Sequence, residues 1–89
     1  MDKLWTDEAW EDLLFLQSDK KLLKKINAFL KDIDRNEYDG IGKPEPLKED
    51  LSGYWSRRID AYNRIVYRII ENKGKKYIEI IQCGTHYHK

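Results

Sequence analysis

The sequence predicts an α+β fold in which two N-terminal helices pack on one face of a small antiparallel sheet, in the order β-α-α-β-β-β. Apolar residues recur at helical spacing in the first third of the chain, and they alternate with polar residues between positions 54 and 83. A glycine- and proline-containing segment separates the two patterns. At 89 residues, the chain is expected to form a single domain over residues 1–89.

The predicted order begins with a short strand at residues 4–5 and two helices. Thr6 can cap helix one, which we expect to end near Gln17. Ser18 or Asp19 can cap helix two, whose apolar stripe is the more regular. That stripe comprises Leu22, Ile26, Phe29, Leu30 and Ile33.

A long loop and three strands follow. Residues 36–52 contain two glycines and both prolines, so we expect a loop, and a loop this long in a small domain is usually functional or disordered. The runs 54–61, 64–71 and 77–83 predict an antiparallel meander. We expect four aromatic side chains to lie in the core: Trp5, Trp10, Phe29 and Tyr67.

Strand alternation divides the arginines between the two faces of the sheet. Arg64 and Arg68 share one face of the middle strand, opposite a row of apolar side chains. Arg57 and Arg58 are adjacent in sequence, so they point to opposite faces and only one of them can join Arg64. Strand register is not fixed by the sequence, which leaves that choice open at this point.

Composition narrows the class of protein. With 40% hydrophobic and 37% charged residues, the chain is typical of a soluble globular domain, and neither a disordered tail nor a membrane protein is expected. The single cysteine, Cys83, excludes an intramolecular disulfide and suits a reducing compartment. The first residues lack the pattern of a secretory signal, so we expect a cytoplasmic protein.

Charge is segregated along the chain. Residues 1–50 hold 9 Lys/Arg against 13 Asp/Glu, whereas residues 51–89 hold 8 against 3. A basic C-terminal half indicates a surface that faces a polyanion, although solvated surface charges would give the same count.

Several motifs resemble the YoeB (Txe) family of bacterial toxins, within the RelE/ParE superfamily. They are GKPEPLK at 42–48, LSGYWSRRI at 51–59, RIVY at 64–67 and the His86-Tyr87 pair near the end. The resemblance implies a RelE-like fold and a ribosome-dependent endoribonuclease, or mRNA interferase, that cuts messenger RNA in the ribosomal A site. It also implies neutralisation by a YefM-like antitoxin and leaves a homodimer open.

The resemblance further implies roles for individual residues. Glu45 would be the general base, His86 the general acid, Arg64 the phosphate clamp and Tyr87 an orienting or stacking partner. Two further basic residues, Lys48 and Arg58, would line the substrate site. By resemblance to the family, Arg58 is also the residue that should share the face of Arg64.

The chemistry gives these residue types a purpose. The resemblance implies a reaction in which a ribose 2′-hydroxyl attacks the adjacent phosphodiester, releasing a 5′-hydroxyl and leaving a 2′,3′-cyclic phosphate. A positioned acid or base typically contributes about 10²- to 10⁴-fold. The planar fork of an arginine matches the phosphate oxygens on which charge develops. The reaction implied by the resemblance requires neither a metal nor a cofactor.

Other interpretations remain open at this stage. Glu45 could be a solvated loop carboxylate and His86 an exposed residue near the chain end. Cys83, His86 and His88 match no standard zinc spacing, so a metal site is not expected. The chain could also be a non-catalytic inhibitor that binds the ribosome, RNA or gyrase, or a module that only binds another protein.

Overall fold

The computed structural model describes residues 1–84, and the predicted fold class is confirmed. The described residues form two α-helices, five strands and one 3₁₀ turn. The elements are β1 (Asp2–Trp5), α1 (Asp7–Phe15), α2 (Lys20–Arg35), β2 (Glu45–Pro46), the 3₁₀ turn (Glu49–Leu51), β3 (Trp55–Arg58), β4 (Arg64–Asn72) and β5 (Lys75–Gly84). The two-residue strand β2 is additional to the predicted order and lies within the predicted loop.

Both helices begin at capping side chains. The Thr6 hydroxyl accepts a hydrogen bond from the Ala9 amide at 3.2 Å, which satisfies one of the free N–H groups of the first turn of α1. Asp19, rather than Ser18, caps α2 by accepting from the Leu22 amide at 3.0 Å. Helix α1 ends at Phe15, two residues before the predicted end.

The five strands form one sheet in the order β1-β5-β4-β3-β2. The pairs β5–β4 and β4–β3 are antiparallel, as predicted for the meander. The additional strand β2 is antiparallel to β3, whereas β1 pairs in parallel with β5. The β4–β5 ladder contains a bulge, because Val66 pairs with Gln82 but Tyr67 pairs with Ile80. Ile81 is therefore an extra residue on β5.

The core lies between the helices and one face of the sheet, which we call the helix face. The predicted stripe of α2 is buried there against β4 and β5. The sheet contributes Ile65, Tyr67, Ile78, Ile80 and Cys83 to this core.

The expectation that Trp10 lies in the core is wrong. Its side chain is 49% exposed and meets Trp5 edge to face, with ring centroids 6.3 Å apart. Helix α1 instead buries Ala9 and Asp12, and Asp12 accepts the Cys83 backbone N–H at 3.0 Å. Trp10 lies one residue beyond Ala9, about 100° around the helix, and so points away from the closest contact with the sheet.

Within residues 1–84, neither helix is long and apolar enough to cross a membrane.

Candidate active site

The face of the sheet opposite the helices carries the candidate site, and we call it the open face. One cross-strand row on this face comprises Glu45, Ser56, Val66 and Gln82, which follow one another from β2 to β5. Directly paired residues point to the same side of a sheet, so all four share the open face. A second row consists of Arg58, Arg64 and Gly84.

Arg58 and Arg64 are direct cross-strand partners, so the prediction that they share a face is confirmed. Such partners have Cβ atoms about 4.5–5.5 Å apart. Glu45 pairs with Ser56, which lies two residues from Arg58 on the same side of β3. Both arginines and Glu45 are exposed. Neither arginine forms an ion pair within residues 1–84, so their charges are available to a ligand.

The remaining predicted site residues fall on the loop and near the chain end. Lys48 precedes the 3₁₀ turn and is exposed, and its carbonyl accepts from the Leu51 amide at 3.2 Å. Gly84, the last described residue, pairs with Arg64. His86, Tyr87 and His88 lie outside the described residues.

A groove of about 640 Å³ runs along the open face next to Arg64. This volume is within the range of pockets that hold small organic molecules, roughly 300–1,000 Å³. The groove lies between the start of α1 and the 47–51 loop, above the middle strands. Its lining residues are Thr6, Asp7, Glu8, Leu47, Leu51, Arg64, Val66, Ile81 and Gln82.

Arg57 anchors the loop that carries Glu45 from the helix face of the sheet. This arginine points to the helix face and is 0% exposed. Its Nε donates to the Tyr67 hydroxyl at 3.1 Å, and its two terminal nitrogens donate to the Asp32 carboxylate and to three loop carbonyls. Those carbonyls belong to Asn36, Asp39 and Ile41. All five guanidinium N–H groups therefore have an acceptor.

Asp32 and Tyr67 complete this anchor. The Asp32 carboxylate also accepts from the Ile41 amide at 3.1 Å, and the Tyr67 hydroxyl donates to the Glu37 carbonyl at 2.6 Å. The Arg57 hydrogen bond holds the pKa of Asp32 below its ordinary value, despite partial desolvation. Burial raises the pKa of Tyr67, so its hydroxyl remains protonated and able to donate.

A glycine allows the loop to reach the sheet. Gly42 has φ +82°, and a Cβ there would lie 2.4 Å from Phe29 Cε2 and 2.9 Å from the Arg58 carbonyl oxygen. The Gly42 carbonyl accepts from the Arg58 amide at 2.7 Å. The loop backbone is thus fixed directly beside β3, three residues before Glu45.

The sequence did not reveal a polar cluster farther along the open face. Glu79 Oε1 accepts from Arg68 Nε at 2.7 Å and from the Tyr54 hydroxyl at 3.1 Å, and the Arg68 guanidinium lies 5.0 Å from the Tyr54 ring centroid. Desolvation and, next, the Glu79 hydrogen bond raise the pKa of Tyr54. The positive charge of Arg68 is therefore balanced by the Glu79 carboxylate, whereas Arg64 has no ion-pair partner among residues 1–84. Glu79 is visible in the sequence as an acidic residue on β5, but its position opposite Arg68 follows only from the strand register.

Cys83 lies on the helix face and has no disulfide partner. It is 1% exposed, and burial raises the pKa of its thiol to about 12. At neutral pH the thiol is protonated, which makes Cys83 a poor nucleophile and a poor metal ligand.

Comparison with known proteins places this geometry in a family. A family model described as the YoeB-like toxin of bacterial type II toxin-antitoxin systems matches residues 5–87. The chain belongs to this YoeB-like toxin family. The Toxin YoeB of Synechocystis is 52% identical over 86 residues, which cover 96% of this chain and 95% of that protein.

Solved YoeB structures share the fold. A YoeB/ParE toxin from Agrobacterium tumefaciens matches with a TM-score of 0.91 and 44% identity, covering 98% of this chain and 100% of that one. Two structures from Staphylococcus aureus, a YoeB dimer and a heterotetrameric YoeB-YefM complex, give TM-scores of 0.83 and 0.85. Both are 44% identical and cover 98% of each chain. The protein is therefore similar to YoeB toxins over nearly its whole length.

Proposed function

We propose that this YoeB-like toxin is a ribosome-dependent endoribonuclease that acts in the cytoplasm and cuts messenger RNA in the ribosomal A site. The observation that carries the proposal is the direct pairing of Arg58 with Arg64 on the open face, beside Glu45. These two arginines form no ion pair among residues 1–84, so they can bind the phosphate of a phosphodiester. The exposed carboxylate of Glu45 can accept a proton nearby.

In this mechanism Glu45 accepts the proton of the ribose 2′-hydroxyl, whose oxygen then attacks the adjacent phosphorus. Arg64 donates to the non-bridging oxygens, where negative charge grows in the transition state. His86 donates a proton to the departing 5′ oxygen, and the products are a 2′,3′-cyclic phosphate and a 5′-hydroxyl.

Three further residues act on binding. Arg58 and Lys48 contact phosphates on either side of the cut, and Tyr87 orients the substrate. One residue, Thr85, lies between Gly84 and His86 in the sequence. Since Gly84 pairs with Arg64, this short tether supports the role of His86 at the phosphate held by Arg64.

The proposed partners are the ribosome, messenger RNA and a YefM-like antitoxin whose acidic segment covers the basic part of the open face. The related Staphylococcus aureus protein is described both as a dimer and as a heterotetrameric complex with YefM. We include a homodimer among the assemblies this chain forms.

The deciding experiment adds the purified toxin to translating ribosomes and maps the 5′ ends of the messenger. We expect cuts at a fixed position relative to the A-site codon, which Glu45→Ala and His86→Ala abolish. Glu71→Ala is the matched control, because Glu71 is an exposed carboxylate near the β4–β5 turn. An intact messenger on stalled ribosomes would instead indicate a non-catalytic inhibitor.

A further inference from the structure

The bulge in β5 turns two consecutive side chains toward the groove. Ile80 and Cys83 point to the helix face and are 0% and 1% exposed. The two residues between them, Ile81 and Gln82, are half-buried and both line the groove. A regular strand would send one of them into the core, whereas a bulge re-aims a side chain next to a site.

These two side chains give the groove an apolar surface beside an amide. Ile81 provides apolar area between the start of α1 and the 47–51 loop, and Val66, which is 3% exposed, lies at the floor of the groove. Gln82 pairs directly with Val66. Within residues 1–84, the one hydrogen bond of the Gln82 side chain runs from Nε2 to the Gly84 carbonyl at 3.5 Å, the limit of a hydrogen bond. Its carboxamide can therefore bind a ligand without losing a strong internal contact.

Gln82 also lies close to the candidate phosphate clamp. Arg64 pairs with Gly84 and Val66 pairs with Gln82, which makes Arg64 and Gln82 diagonal neighbours, about 7–8 Å apart. A nucleotide whose phosphate contacts Arg64 can place its base over Ile81 with an edge toward Gln82. Single-stranded RNA is recognised in this way, through unstacked bases that are hydrogen-bonded at their edges.

We propose that Gln82 is a specificity-determining residue that reads the base next to the scissile phosphate and favours adenine. A carboxamide donates and accepts side by side, which matches the N7 and N6 groups of adenine. This inference rests on the proposed ribonuclease function and adds the source of its sequence preference.

The first test compares cleavage maps on translating ribosomes for the native toxin, Gln82→Leu and Gln82→Glu. We expect Gln82→Leu to lower the preference for adenine by about 5- to 100-fold, since a bidentate contact gives discrimination of this order. Gln82→Glu should shift the preference toward cytosine, whose N4 group donates to a carboxylate. The chain has one other glutamine, the exposed Gln17, so Gln17→Leu is the matched control.

A second measurement does not depend on cleavage. Fluorescence anisotropy would compare the binding of 2′-O-methylated adenine, cytosine and uracil pentanucleotides, which cannot be cut. A preference for adenine that Gln82→Leu removes and Gln17→Leu retains supports the proposal. If ribosomal messengers stay intact while this preference is observed, the ribonuclease function fails and base reading by Gln82 stands.

Two outcomes would overturn the inference. One is an unchanged base preference in both Gln82 variants, with unfolding midpoints that match the native toxin. The other is an unchanged base preference together with weaker capture of the YefM-like antitoxin, which would identify the groove as a peptide-binding site.

Discussion

Two adjacent arginines on β3 have opposite environments. Arg57 is completely buried on the helix face, with an acceptor for each of its five N–H groups, whereas Arg58 is exposed on the open face beside Arg64. The alternation of a single strand therefore gives one arginine a structural task and leaves the next available to a ligand. The two residues are of the same type, so their different roles follow from the pleat of β3 and from its register with β4.

The sharpest way to test this contrast is to remove Arg57. We expect Arg57→Met to lower the free energy of unfolding by about 3–5 kcal/mol, because it leaves Asp32 and three loop carbonyls without their donor. Arg58→Met should change stability by less than about 0.5 kcal/mol, as is usual for exposed side chains. Urea unfolding of both variants measures these free energies. Equal losses of stability in the two variants would contradict the contrast between Arg57 and Arg58.

The open face should show the reverse pattern. We expect Arg64→Ala to lower messenger cleavage by about 10²- to 10³-fold, the loss typical when one donor to a transition-state oxyanion is removed. Its unfolding midpoint should stay unchanged, because Arg64 is exposed. Lys73→Ala, at an exposed cation in the β4–β5 turn, is the control. Full cleavage by Arg64→Ala would reject the assignment of this residue.

A third variant tests the loop between the two faces. We expect Gly42→Ala to cost about 1–3 kcal/mol, because its Cβ would collide with the Phe29 ring and the Arg58 carbonyl. Gly74→Ala is the matched control, since Gly74 has a similar φ of +79° with nothing within 4 Å of the added carbon. The difference between the thermal unfolding midpoints of the two variants measures the steric effect of the added Cβ, because both positions have a similar φ. Equal midpoints would show that the loop can move aside.

The smallest effect is a dependence of stability on pH. The pKa of Asp32 is lower in the folded protein than its ordinary value of 3.8, mainly through Arg57. The stabilisation from the charged carboxylate is therefore complete above pH 3.8 and is lost as the pH falls through the folded-state pKa. We expect urea unfolding to show lower stability at pH 3 than at pH 6. An NMR titration of the Asp32 carboxyl with a midpoint at or above 3.8 would contradict this cause.

Much of the fold follows from local patterns. The stripe of α2 and the alternation on β4 predict both the helix layer and the antiparallel meander, and each is confirmed. The β2 pairing was not predictable, because Pro46 has no N–H and a two-residue strand exists only through its contact with β3. The bulge at Ile81 also escaped prediction, since it arises from the match between two strands.

The candidate site was predictable in part. Motifs suggested the candidate residues. The face on which Arg58 lies and the pairing of Arg68 with Glu79 became evident only from the strand register. The role of Arg57 could not be derived locally, because its acceptors lie 10 to 25 positions away along the chain. Predictions remain for the functions of all six candidate site residues: Glu45, Lys48, Arg58, Arg64, His86 and Tyr87.

The position of β5 between β1 and β4 has a consequence for biosynthesis. The first strand must wait for residues 75–84 before it has a partner, because it pairs only with β5 among the described strands. Contacts between the two ends of a chain form late and cannot assemble while the chain is incomplete. A nascent toxin thus lacks the β5 side of its groove until residues 81 and 82 have been synthesised.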